Sequence, residues 1–276
     1  MQYYKLNDGT TLPQIGFGTY HIMDAESICR AIDMGYKLVD TAWVYENERI
    51  VGEGLDASHK KDVLVATKVW PNYYGKDLTR RSVERSLKDL KVDQLDIVYT
   101  HWPTEDIVEA WKALEAMQAE GIIKTLGVSN MNQEQLERFV QDVDVMPALN
   151  QIEVHPLWPE LELVDYLQSK DIQVVAYSPL ARMNEELLAD PKLKAIMQRT
   201  GKTAAQVILR WQLERGILPI PKSENPQRQA ENLDIFDFSL QKEEVAALNS
   251  LGRSDAKIAN DSTDKAWQQE MKGREL

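Results

Sequence analysis

Apolar and polar positions along the chain fall into two kinds of segment that alternate. Short apolar, β-branched runs stand at residues 15–18, 36–40, 63–68, 95–100, 124–129, 148–153, 172–178 and 217–221. Between them, residues 78–90 and 107–120 carry apolar side chains at the i, i+3, i+4 spacing of a helix face, and the second stretch runs into Gly121, a C-cap residue. Ser129-Asn130-Met131-Asn132 supplies capping side chains ahead of a helix over 133–140, and Thr203 does the same ahead of 204–214. Strand and helix alternating eight times predict an α/β fold of the (β/α)8, or TIM-barrel, kind, built as one domain from residues 1–276. An open, doubly wound sheet is the competing arrangement. Ahead of the repeat, residues 3–6 and 11–12 flank Asn7-Asp8-Gly9, which predicts an N-terminal hairpin that closes the bottom of the barrel.

Composition narrows the class. The 276 residues are 43% hydrophobic and 28% charged, which excludes disorder, collagen and a disulfide scaffold. Acidic residues outnumber basic ones, 44 to 32, for a net charge of -12. Such a surface repels nucleic acid and anionic membranes while leaving room for a local basic pocket. Cys29 is the only cysteine, so no internal disulfide forms and a reducing, cytoplasmic setting is expected. Residues 1–10 are polar, without the apolar core of a secretory signal, and no apolar run reaches the ~18 residues of a membrane helix.

Several familiar patterns fail in context. Gly52-Glu53-Gly54-Leu55-Asp56-Ala57 spells a dinucleotide fingerprint but follows a charged helical stretch instead of a strand. Gly16-Phe17-Gly18 has His21 where a third glycine belongs, and Gly201-Lys202-Thr203 has Ile196 where a phosphate loop begins with glycine. No G-x-S-x-G occurs, and the four histidines show no metal-ligand spacing, so no metal is expected.

The polar residues at strand ends are more informative, because barrel active sites sit there. Asp40 ends the second run, Lys68 the third and His101 follows the fourth; Tyr45 lies five residues past Asp40. Singly, each has a structural use as a cap, a solvated charge, a packed ring or a core hydrogen-bonding group. Together they form a proton-delivery set. A tyrosine titrates near 10 and needs help to exchange protons at neutral pH. The Lys68 ammonium is expected to lower that value, Asp40 to hold Lys68, and neutral His101 to donate to a substrate oxygen as charge develops. The set protonates a carbonyl oxygen but brings no reductant, so a hydride donor is required.

A series of segments resembles the aldo-keto reductase family. They are Gly16-Phe17-Gly18-Thr19, Asp40-Thr41-Ala42 with Tyr45-Glu46-Asn47-Glu48, Thr67-Lys68-Val69-Trp70, His101-Trp102-Pro103 and Gly127-Val128-Ser129-Asn130. The series continues through Asn150-Gln151-Ile152-Glu153-Val154-His155-Pro156, Ala176-Tyr177-Ser178-Pro179-Leu180 and Ile220-Pro221-Lys222-Ser223. The order is kept from about residue 10 to 238, and the short bacterial 2,5-diketo-gluconate and methylglyoxal reductases are the most similar members.

The resemblance implies a barrel that reduces small aldehydes, ketones or keto sugars with NADPH and no Rossmann fold. It puts Asp40, Tyr45, Lys68 and His101 on the catalytic positions, with Tyr45 the proton donor. It assigns Thr19 to the cofactor, Ser129, Asn130 and Gln151 to the nicotinamide carboxamide, Tyr177 to ring stacking, and Ser178 and Leu180 to the pyrophosphate. Lys222, Ser223 and Arg228 fall on the 2′-phosphate positions, and Glu231 and Asn232 near the adenine. On so acidic a chain, a local lysine and arginine also make physical sense as a phosphate clamp. Tyr20, Trp70 and Trp102 match pocket-lining positions. A monomer is implied as well.

There are departures. Glu46 replaces a glycine usual in the family, Tyr20 replaces a common tryptophan, and residues 181–184 lack the glycine often found in that loop, with Arg182 a further phosphate contact. The tail over 252–276 does not follow the family pattern, and that tail often shapes the substrate pocket. Two other classes compete: a non-catalytic NADPH-binding regulatory protein, whose tetrad would be broken, and a hydrolase pairing Asp40 with Asp96 or Glu153.

Overall fold

The chain opens on β1 (Tyr3–Lys5) and β2 (Thr11–Pro13), an antiparallel hairpin that pairs Tyr3 with Pro13 and Lys5 with Thr11. The eight apolar runs then become β3 (Phe17–Gly18), β4 (Leu38–Asp40), β5 (Leu64–Val69), β6 (Leu95–Thr100), β7 (Ile123–Ser129), β8 (Leu149–Glu153), β9 (Gln173–Tyr177) and β10 (Leu218–Pro219). In this computed structural model, which describes residues 3–272, the eight strands lie side by side in chain order and pair in parallel. Residues 273–276 of the tail, with Met1 and Gln2, lie outside the described residues. The amides of Gly16 and Gly18 donate to the carbonyls of Pro219 and Pro221 at 3.0 and 3.2 Å, joining the last strand to the first. The sheet therefore closes into a (β/α)8 barrel, and its unreversed order excludes the doubly wound alternative. The seam needs glycine: a Cβ on Gly18 would stand 2.8 Å from the Ile220 carbonyl oxygen.

The helices in order are α1 (Ala25–Met34), α2 (Glu48–Ala57), α3 (Lys76–Leu90), α4 (Ile107–Ala119), α5 (Gln133–Phe139) and α6 (Leu161–Ser169). Then come α7 (Glu185–Ala189), α8 (Pro191–Thr200), α9 (Ala204–Glu214), α10 (Pro226–Leu233), α11 (Lys242–Asn249) and α12 (Lys265–Lys272). Their starts follow from local chemistry. Asn132 and Thr203 each accept from the third residue on and receive a glutamine side chain in return, so both form reciprocal capping boxes. No helix among the described residues is long and apolar enough to cross a membrane.

Apolar burial is split between two layers. Inside the barrel, Leu38, Ala66, Ile97, Leu149, Val175 and Leu218 pack with Leu6 and Leu12, so the hairpin plugs the N-terminal end. A larger layer fills the space between strands and helices, where Trp111 and Trp211 are fully buried. Their indole N–H groups are satisfied by the Val145 carbonyl and the Asn249 side chain. With its lower end filled, the barrel leaves its polar strand ends at the opposite rim.

Candidate active site

Asp40 closes β4, Lys68 lies near the end of β5 and His101 follows β6, so parallel pairing alone brings them to one rim. A one-turn helix at Trp43–Tyr45 then returns Tyr45 toward the same place. Lys68 is 1% exposed, and its ammonium donates to Asp40 Oδ1 at 2.5 Å and to the Thr41 carbonyl at 2.7 Å. It also hydrogen-bonds the Tyr45 hydroxyl and lies 5.1 Å from the centre of that ring. Burial alone would push Lys68 down; the Asp40 carboxylate and the Tyr45 oxygen outweigh it and hold the ammonium above its ordinary value.

Tyr45 departs from the sequence expectation. Lys68 does lower its value, but burial is the larger effect and leaves Tyr45 above 10. The phenol is thus fully protonated at rest, which suits a group that gives up its proton only as a neighbouring oxygen becomes negative. His101 is 8% exposed, and burial, then Lys68, holds it well below 6.5. It is a neutral imidazole, and its Nδ1 has no hydrogen-bond partner among the described residues. Its ring meets Trp70 edge-on at 5.1 Å and runs parallel to Trp102 at 6.4 Å.

The predicted pocket residues lie here as well. Tyr20, 52% exposed, meets the Tyr45 ring edge-on at 4.9 Å. Trp70 and Trp102 belong to an aromatic cluster with Trp43, Trp267 and Met271. The last three were not singled out from sequence. Trp43 stands two residues before Tyr45, a local signal that was available, whereas Trp267 and Met271 arrive from the distant α12. Asn47 belongs to the Tyr45-Glu46-Asn47-Glu48 segment, whose pattern gives it no role of its own. Its fully buried amide donates to the carbonyls of Thr19 and Ile22 and accepts from Thr41, fastening three rim segments together.

The residues assigned to a nicotinamide form a second, adjoining network. Gln151 donates to Asp40 Oδ2 at 2.7 Å, Ser129 donates to the Gln151 carbonyl, and Asn130 donates to Ser129 Oγ and the His101 carbonyl. The Tyr177 hydroxyl donates to Asn130 Oδ1 at 2.6 Å. Tyr177 and Asn130 also share a small cavity with Trp102, so an aromatic face is available beside the catalytic groups. Thr19 is fully buried with its hydroxyl on the Asp40 carbonyl, so this side chain ties β3 to β4. After β9, Ser178, Ala181, Arg182 and Met183 all hold left-handed backbone with φ between 47 and 56°. The loop makes without glycine the turn that glycine makes easily, at a conformational cost. Glu46 does the same at φ 56°, which explains why glycine is common there.

At the β10–α10 connection, Lys222 lies beside Gly18, on the same rim as the other groups. Its ammonium donates to Glu224 at 2.6 Å, and Arg228 is exposed. Arg30 and Gln229, absent from the sequence candidates, brace this segment through the carbonyls of Glu224 and Ser223. Glu231 accepts from Thr203 at the start of α9, and Asn232 is buried beside Tyr36. Those two side chains are occupied within the protein. Asp96 accepts from Val65 N and Lys124 near the start of β6, at the opposite end from Asp40, which removes one hydrolase pairing. Glu153 is committed to amides and a histidine and removes the other.

Known proteins are similar to this chain in sequence and fold. The Aldo/keto reductase family profile matches residues 14–253. Glyoxal reductase of Bacillus subtilis is 38% identical over 258 residues, covering 91% of this chain and 93% of its own. Methylglyoxal reductase DkgA of Escherichia coli is 37% identical over 255 residues, covering 90% and 92%. Among solved structures, a Gox0644 mutant in complex with NADPH superposes with a TM-score of 0.90 at 36% identity, covering 95% of this chain and 98% of that one.

Proposed function

The chain belongs to the aldo/keto reductase family, and from that premise we propose that it reduces small neutral aldehydes and dicarbonyls to alcohols with NADPH. The observation that carries this is the convergence of a protonated tyrosine, a buried ammonium–carboxylate pair and a neutral histidine at one rim. When bound at this rim, NADPH would supply the hydride that the protein's own residues lack. Tyr45 delivers its proton to the carbonyl oxygen, Lys68 stabilises the resulting phenolate, and solvent restores the proton afterwards. Asp40 keeps Lys68 charged and in place. His101, uncharged, orients the carbonyl oxygen without competing as an acid.

The cofactor fits what the rim offers. The half-buried Tyr177 ring gives a planar nicotinamide a surface to stack on, with Ser129, Asn130 and Gln151 beside its carboxamide. Ser178 and Leu180 would hold the pyrophosphate. Lys222, Ser223 and Arg228 would hold the 2′-phosphate, with Glu231 and Asn232 near the adenine and Thr19 supporting the cofactor site. The Lys222–Glu224 pair is partly exposed on both sides, and such pairs are worth little, so the carboxylate would yield readily to a dianionic phosphate. Neutral substrates are favoured over keto acids because Glu46 is exposed next to Tyr45. The names of the two curated relatives, glyoxal and methylglyoxal reductase, point to the same class. The same reading has the protein acting in the cytoplasm as a monomer, with the whole chain as one domain.

Tyr45→Phe tests the assignment. Turnover of methylglyoxal should fall at least about 100-fold, the scale of a lost general acid, while NADPH still quenches tryptophan fluorescence with nearly unchanged affinity. Near-normal turnover would remove Tyr45 from the mechanism.

A further inference from the structure

β8 ends in a carboxylate that the reduction itself does not use. Glu153 is 2% exposed, yet it accepts three hydrogen bonds. The amides of Ile258 and Ala259 each donate to it at 2.6 Å, one to each oxygen, and His155 Nε2 approaches at 2.9 Å. His155 Nδ1 accepts from the Trp158 amide, so the ring proton sits on Nε2 and is donated to Glu153. Burial by itself would raise the carboxyl; His155 and the two amides outweigh it and hold Glu153 below its ordinary value.

Two of these donors come from the C-terminal segment that departs from the family pattern. That segment continues over the rim. Ser262 exchanges hydrogen bonds with Gln135 and accepts from Gln268 on α12. From α12, Trp267 meets Trp102 edge-on at 4.3 Å, and Met271 is buried among Trp43, Trp70 and Trp102. A cavity of about 40 Å³ is lined by Glu153 itself, by Lys257, Asn260 and Ser262 of this segment, and by Asn130, Tyr177 and Trp102. The Glu153 carboxylate thus meets the segment beside this cavity, before the chain runs on to α12.

We propose that Glu153 is a positioning residue: its carboxylate latches the closing segment to the end of β8 and through it fixes the Trp267–Trp102 wall that the non-reacting part of the substrate meets. This rests on the carbonyl-reductase reading. Substrates with a bulky apolar part depend on the wall, whereas a two- or three-carbon dicarbonyl needs little beyond Tyr45 and His101. A latch of this kind moves selectivity without touching hydride or proton transfer. A carboxylate suits the role because each of the two backbone amides takes one of its oxygens. An amide in its place offers one acceptor and turns a donor toward an amide N–H.

Glu153→Gln decides the matter in the full-length protein. Hydrogen–deuterium exchange of the peptide carrying Ile258 and Ala259 should quicken while barrel peptides stay protected. KM for benzaldehyde should rise about tenfold or more, the scale of a lost hydrogen bond to a charged group, with KM and kcat for methylglyoxal little changed. Trp267→Ala should reproduce the benzaldehyde effect, and the double variant should be no worse than the weaker single one. Unchanged exchange at 258 and 259 would overturn the latch, as would equal losses on both substrates or additive effects in the double variant. If the unaltered protein reduces no carbonyl, the reductase reading has failed, and the exchange result still tells whether Glu153 holds the segment.

Discussion

His101 depends on its surroundings more than any other residue at the site. An exposed imidazole would be half charged near neutrality and would compete with Tyr45 as an acid. Here burial and the Lys68 charge press in the same direction, so the neutral form persists. Because folding favours that neutral form, its contribution to stability is present above about 6.5, the unfolded value, and is lost as pH falls below it. Nitrogen-edited NMR should therefore show no titration of the His101 ring across the neutral range. A midpoint near 6.5 would mean a solvated ring and would undercut its role as an uncharged donor. Tyr45 shows the limit of reasoning from neighbours alone: the Lys68 effect is real and has the predicted sign, but the depth of burial decides the outcome, and depth is not written in a five-residue spacing. Residue identity at strand ends was legible because barrel topology turns sequence position into rim position.

Among the elements, α2 shows how a motif can mislead when its context is ignored. Gly52 and Gly54 cradle no phosphate. They let α2 approach its neighbours: a Cβ on Gly52 would lie 2.4 Å from the Asp89 carbonyl oxygen, and one on Gly54 would lie 2.7 Å from Ile28 Cβ. Two effects oppose each other in Gly52→Ala. Alanine gains about 1 kcal/mol in helix propensity, while the clash with backbone forces α2 off α3 at about 1–3 kcal/mol. The clash wins because a carbonyl cannot rotate away as a side chain can. Thermal unfolding should show a lower Tm for Gly52→Ala; a higher one would mean that the helices do not pack this closely. The helices with strong caps, α5 and α9, were readable almost to the residue, since Asn132 and Thr203 and their glutamine partners act within one turn. The loop after β9 was readable only as an anomaly, because its left-handed backbone is imposed by the surroundings and not by glycine.

The whole molecule is a barrel plugged at one end by the β1–β2 hairpin and covered at the other by α12 and the chain leading to it. The plug was legible from Asn7-Asp8-Gly9 and two apolar flanks. A tail at the pocket was implied by the resemblance alone; its contacts were not legible, because they join residues more than 100 positions apart, Glu153 to Ile258 and Gln135 to Ser262, and no local period records such pairs. The same holds for Arg30 and Gln229, whose bracing of the β10–α10 segment spans the chain. Closure of the ring between β3 and β10 sets Lys222 beside Gly18 on β3, whose neighbour β4 leads to Tyr45, so both residues stand on one rim. The most direct measurement is to mix the protein with NADPH and methylglyoxal and follow nicotinamide absorbance beside alcohol formation, with NADH in a parallel arm. Matched consumption and product, faster with NADPH than with NADH, is the predicted result. No consumption with methylglyoxal, glyoxal or a simple aldehyde, although NADPH binds, would contradict it.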